Sequence, residues 1–214
     1  MVDVESRPLL RGWIHAAAVP AVVAAVVLLA LRARSPEAVA SAAVFAVSAV
    51  TLFTVSAVYH LGRWSPPVRL VLRSVDHADI LFLIAGTYTP FAVLALRGSA
   101  CLAVLGLVWA AAALGAVFRI AWTSLPRWVY VPLYAGVGWT AVFVFRELLD
   151  GAGVAAVCLV VAGGAVYTAG AVAYGVRRPN PWPGVFGFHE VFHACTVVAF
   201  ACQYAAVLIL IGRS

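Results

Sequence analysis

The 214-residue chain is 65% hydrophobic and only 10% charged, with a formal net charge of +6 and a mean hydropathy of +1.05. Soluble domains average about 25% charged and 45–50% apolar residues, and disordered chains need low hydrophobicity, so both classes are excluded. What remains is a polytopic membrane protein with almost no extramembrane domain. All 14 basic residues are arginine. They stand scattered between apolar runs, as membrane proteins place positive charge, so no nucleic-acid partner is expected.

A spanning helix needs about 20 mostly apolar residues. Seven such runs follow one another, at roughly 13–31, 38–60, 77–96, 100–122, 128–147, 152–175 and 187–211. The breaks between them carry Arg, Pro, Gly or Asp. Helices are the expectation because an open structure in lipid must satisfy its own backbone, and the period-2 pattern of barrel strands is absent. The first run follows Arg7 and Arg11, but it is longer than a signal-peptide core of about 7–15 residues and no small-residue cleavage site follows. It reads as an uncleaved first helix. The whole chain, 1–214, reads as a single seven-helix membrane domain.

Arginine placement sets an expected orientation. Arg7, Arg11, Arg63, Arg69, Arg73, Arg119, Arg127, Arg177 and Arg178 fall at one end of the bundle, nine in all, and Arg32, Arg34, Arg97, Arg146 and Arg213 at the other, five in all. The positive-inside rule then puts the N-terminus in the cytoplasm and the C-terminus outside. The four cysteines, Cys101, Cys158, Cys195 and Cys202, form no CxxC pair and read as core thiols.

Ionisable residues within membrane helices are costly and default to function. Here His60 ends the second run, Asp76, His77 and Asp79 open the third, and His189 and His193 flank Glu190 at the start of the seventh. With alternating helix directions, all of them fall at one depth on one side. His189 and His193 are four apart, so their imidazoles share a helix face, and His60 completes a three-histidine set. Three protein ligands and a water form the open arrangement of a catalytic zinc. Imidazole also suits copper, nickel or iron. Asp76 is placed to hold or deprotonate the water, and Ser56, one turn before His60, to hydrogen-bond it or to polarise a substrate carbonyl.

Blander readings accompany these. His15 and His77 fit interfacial polar groups, Asp76 a carboxylate at a helix N-terminus, Asp79 a partner for a second-loop arginine, and Ser56 a hydroxyl bonded back to its own helix. His189-Glu190-Val191-Phe192-His193 also matches the H-E-x-x-H signature of zinc metalloproteases, with Glu190 as general base. In the third run Pro90 frees a backbone carbonyl, and Thr87 and Thr89 either satisfy that kink or line a polar cavity.

The segments Ser56-Ala57-Val58-Tyr59-His60, Asp76-His77, Ile84-Ala85-Gly86-Thr87-Tyr88-Thr89-Pro90 and His189-Glu190-Val191-Phe192-His193, with the Arg11-Gly12-Trp13-Ile14-His15 start, resemble the hemolysin III family. This is the bacterial branch of the progestin and adipoQ receptor proteins. The resemblance covers essentially the whole chain. It implies seven helices, an internal N-terminus and a zinc near the cytoplasmic face held by His60, His189 and His193. Asp76 would stand beside the zinc-bound water and Ser56 on the second helix. The wider superfamily includes alkaline ceramidases, which hydrolyse a lipid amide, and receptors of the eukaryotic branch are thought to share that activity. Only 12 residues precede Trp13, so the resemblance does not extend to recognition of a protein hormone.

The expected protein is therefore an all-α, seven-helix bundle in a bacterial plasma membrane. Its expected function is a zinc-dependent hydrolase of a lipid amide or ester, with Asp76 as base and Ser56 at the oxyanion. A membrane lipid is the expected partner, and no protein partner is expected. The competing reading is a lipid-sensing or membrane-homeostasis protein with a structural zinc. An intramembrane protease, a transporter and a lytic pore rank behind it.

Overall fold

The computed structural model describes residues 8–121 and 126–214. Among them the backbone forms α1 (Trp13–Arg32), α2 (Pro36–Leu61), α3 (Pro66–Ala95), α4 (Gly98–Ala121), α5 (Arg127–Gly138), α6 (Phe145–Ala152), α7 (Val154–Val176) and α8 (Phe188–Ile211). A 3-10 turn, Thr140–Val144, joins α5 to α6. Seven segments are long and apolar enough to cross a membrane, the fifth being α5 and α6 together. The protein is an integral membrane seven-helix bundle, as its composition requires.

Local chemistry places the helix starts. Ser35 Oγ accepts the Ala38 N–H at 3.2 Å, and Pro36 fills the first helical position, where a missing N–H costs nothing. Pro66 and Pro67 open α3 in the same way. That start lies well before residue 77, where the apolar run begins. A helix that leaves the hydrocarbon need not end, because beyond the membrane its turns keep their own hydrogen bonds and polar side chains face water. Arg69, Arg73 and Asp76 therefore stand on a helix and not in a loop.

The fifth span is broken where one helix is expected over 128–147. Tyr88 of α3 fills the break: its hydroxyl donates to the Gly138 carbonyl and accepts the Ala141 N–H, both at 2.7 Å. Backbone groups freed within a membrane need such partners. Tyr88→Phe is expected to leave both groups unsatisfied at about 1–3 kcal/mol each. A clear fall in the thermal midpoint of detergent-purified protein checks this; an unchanged midpoint would mean the break is self-sufficient.

Phe45 and Phe53 of α2, Leu81 of α3 and Phe200 of α8 are buried at the centre of the bundle. Phe45 and Phe200 stack with centroids 5.6 Å apart. α7 lies close on α8 because Gly170 faces Cys195; a Cβ there would come within 2.7 Å of the cysteine Cβ. Small residues permit such approach between membrane helices. Exposed Leu102, Phe143 and Val154 form part of the apolar outer surface that lipid covers. Cys158 is also on that surface, so it is not the core thiol its surroundings in sequence suggest, whereas Cys101, Cys195 and Cys202 are partly buried. Thr87 and Thr89 donate to the Leu83 and Ala85 carbonyls at 2.8 Å, and Trp109 of α4 donates to Thr89. Both hydroxyls thus serve the helix, although Thr87 also lines a cavity.

Candidate metal centre

α2 ends and α8 begins at the same end of the bundle, which brings His60 beside His189 and His193. One ring nitrogen from each lies within 4.8 Å of the others. The Nε2 atoms of His60 and His189 are 3.3 Å apart. Two imidazole nitrogens on a tetrahedral zinc, each about 2.0–2.1 Å from the metal, would be separated by about 3.3 Å. His193 is buried and its ring centroid lies 4.7 Å from that of His189 and 5.1 Å from that of His60. The three residues therefore fit a metal ion by donor chemistry and by spacing.

Asp76 stands at the edge of this set. Its Oδ2 is 3.9 Å from His60 Nε2 and 3.5 Å from His77 Nδ1. It lies well inside α3, so it is not a helix N-terminal carboxylate; the early start of that helix removes the dipole account. Ser56 is buried on α2, and its hydroxyl lies beside the Asp76 carboxyl. His77 turns Nδ1 to the Arg73 carbonyl at 2.8 Å and presents its ring edge to Tyr130. Asp79 is buried inside the bundle, and among the described residues no arginine lies within ion-pair distance of it. The expected pairing with a second-loop arginine is thus not what forms. A buried arginine that sequence reasoning passed over, Arg119 of α4, packs 4.9 Å over the Tyr130 ring and accepts the Ser74 hydroxyl on its carbonyl.

Glu190 is almost fully buried and both its oxygens are engaged. Oε1 takes the Arg11 guanidinium, and Oε2 accepts the Gly187 N–H at 2.9 Å, capping α8. A carboxylate held in this way has no free oxygen to act as a general base, which counts against the metalloprotease reading of H-E-x-x-H.

The N-terminal segment packs against the cluster at His60 and His193. Leu9 and Leu10 donate their N–H groups to the Gly184 and Val185 carbonyls, tying the segment to the loop before α8. Arg11 reaches Glu190. Gly12 has φ 86°, and a Cβ there would fall 2.7 Å from His60 Cβ, so both backbone conformation and space require glycine. His15, which reads from sequence as an interfacial group, is buried instead and stacks on His193 at 3.9 Å with 11° between ring planes. Its signal was the Arg-Gly-x-x-His spacing, which has no meaning until α1 is packed against α8. The stack braces the His193 ring, and removing His15 is expected to free it. His15→Ala is expected to weaken metal binding by about 10–100-fold, the usual effect of losing a ligand's support. His15→Phe keeps the stack and is expected to restore it. A competition titration against a zinc-chelating dye reads both, and equal loss in both variants would make His15 more than a packing partner.

Two cavities meet at the cluster. One of 410 Å³ is bounded mainly by apolar side chains such as Leu52, Leu83 and Phe91, and also reaches Ser56, Asp76, His189 and His193. The other, of 920 Å³, opens at the end of the bundle that carries the N-terminal segment. His77, Tyr130, Tyr174 and His189 line both.

The sequence profile described as Haemolysin-III related matches residues 4–204. The chain is 28% identical to the Hemolysin-3 homolog of Bacillus subtilis (strain 168) over 170 residues, 79% of this chain and 76% of that protein. It is 28% identical to Hemolysin-3 of Bacillus cereus over 172 residues, 80% of this chain and 75% of that one. It is 32% identical to the heptahelical transmembrane protein ADIPOR2 of Oryza sativa subsp. japonica over 189 residues, 79% of this chain and 81% of that protein.

Proposed function

The chain belongs to the haemolysin-III related family, and from that premise we propose that it is a zinc-dependent hydrolase of a lipid amide or ester in a bacterial plasma membrane, with its site on the cytoplasmic side. The observation that carries this is the junction of an apolar 410 Å³ cavity with the three-histidine cluster and with Asp76 and Ser56. The bacterial setting follows the Bacillus relatives, and the orientation follows the arginine asymmetry.

His60, His189 and His193 hold the metal in this reading. A zinc ion there supplies a Lewis acid and acidifies water near neutrality. The chain's own residues do the rest. The cavity walls take the acyl chain and exclude bulk water. Asp76, close to the cluster but outside the group of three, accepts the proton of the attacking water and later returns it to the leaving group. The Ser56 hydroxyl donates to the carbonyl oxygen as it gains negative charge. The position of Asp76, outside the group of three, supports this reading over its competitor. A structural zinc wants a closed fourth ligand, whereas the group of three forms without the Asp76 carboxylate, which stands 3.9 Å from His60 Nε2.

The test is fatty-acid release, followed by mass spectrometry, from N-acyl and O-acyl lipids in mixed micelles with purified protein. Release that stops with a chelator, returns with zinc, and falls by about 100-fold in Ser56→Ala, the loss typical of one oxyanion donor, supports the hydrolase. A metal-loaded protein that releases nothing across both lipid classes would give the site to a structural zinc in a lipid-sensing protein.

A further inference from the structure

The 920 Å³ cavity above the cluster is walled by arginines from four parts of the chain. Arg11 precedes α1, Arg69 and Arg73 lie on α3, Arg127 starts α5 and Arg177 directly follows α7. Among the described residues no acidic side chain lines it. Positive-inside placement accounts for arginines at this end, but it does not account for their convergence. Arg63 and Arg178 belong to the same end, and neither lines the cavity.

The five arginines are not equivalent. Arg11 is committed to Glu190. Arg127 is braced, with its guanidinium 4.5 Å over the Tyr174 ring and a hydrogen bond to the Tyr174 carbonyl. Arg69, Arg73 and Arg177 make no ion pair among the described residues. Arg69 and Arg73 are four apart on α3 and project from one face of it. Guanidinium forks offer paired donors that match the oxygens of a phosphate.

Together with the apolar cavity this makes an amphiphile-shaped site. An acyl chain fills the lower cavity, its amide or ester linkage falls at the junction beside His189, and whatever the linkage carries on its other side enters the arginine-walled mouth. We infer that the ligand carries an anionic headgroup of the phosphate type, bound by Arg69, Arg73 and Arg177. The inference rests on the reading that the lower cavity takes an acyl chain.

The experiment uses purified full-length protein in neutral detergent and the displacement of a fluorescent fatty-acyl probe. The competitors are palmitoyl lysophosphatidate, palmitoylglycerol and inorganic phosphate. Lysophosphatidate is expected to bind more tightly than palmitoylglycerol by about tenfold, a preference that salt weakens. In the Arg69→Gln/Arg73→Gln double variant, both positions being exposed and outside the cluster, the preference is expected to vanish while palmitoylglycerol still binds. Equal binding of the two lipids, or a preference that survives the double variant, overturns the headgroup site and leaves the acyl cavity standing. Binding of neither lipid overturns both. Inorganic phosphate competing as well as lysophosphatidate, against an anionic probe without an acyl chain, would make the mouth a site for free phosphate and overturn the lipid assignment.

Discussion

Replacing His189 with alanine is expected to strip the protein of its metal. Wild type purified without chelator should carry about one zinc per chain, the stoichiometry of a single three-histidine set. His189→Ala and His60→Ala should each retain less than a tenth of that, because each leaves two imidazoles where three converge within 4.8 Å. His77→Ala is the control. It sits beside Asp76 but directs Nδ1 to the Arg73 carbonyl and is outside the group of three, so its zinc content should match wild type. The same variants separate metal loss from misfolding. A ligand that binds only the folded state adds about 2.7 kcal/mol at one hundred times its dissociation constant. Chelator should therefore lower the thermal midpoint of wild type and of His77→Ala, and leave that of His189→Ala unmoved. Inductively coupled plasma mass spectrometry with parallel melts reads both quantities. Full zinc in His189→Ala would move the centre elsewhere.

The seven spans were legible because lipid imposes one strong rule, and runs such as 13–31 and 152–175 obey it without interruption. What the rule measures is hydropathy, not helicity. It therefore placed the start of the third span at residue 77, blind to the polar turns from Pro66 onward that carry Arg69 and Arg73. For the same reason it treated 128–147 as one continuous helix, since a break filled by the Tyr88 hydroxyl leaves no trace in composition. The convergence of His60, His189 and His193 could be reasoned from alternating helix direction alone, and the structure does bring them together. Depth along the membrane says nothing of rotation about each helix, however. The stack of His15 on His193, the seat of Gly12 on His60 and the engagement of Glu190 by Arg11 all depend on that rotation. Arg119 was invisible for a related reason. Its burial is set by α3 and α5 closing over it, and in sequence it is one more arginine at a helix end.

Asp76→Asn is expected to keep the metal and lose turnover. Asn is nearly isosteric, so the packing around Ser56 and His77 has little reason to change. The variant retains an oxygen that can accept a hydrogen bond but cannot take a proton at neutral pH. If Asp76 is the base, release of fatty acid from the best substrate should fall by about 100- to 10,000-fold, the range general acid–base catalysis contributes. KM should stay within a few-fold of wild type, since the acyl cavity is untouched and the lost interaction belongs to the transition state. Zinc content should stay near wild type, because the three histidines hold the ion without Asp76. The competing structural reading predicts a different pair of results. There Asp76 completes a closed site, so Asp76→Asn would lower zinc content and thermal midpoint together, and wild type would show no turnover for the variant to lose. Metal retention decides between the two even before a substrate is found. The group of three is defined without Asp76, whose Oδ2 lies 3.9 Å from His60 Nε2, and that spacing favours retention.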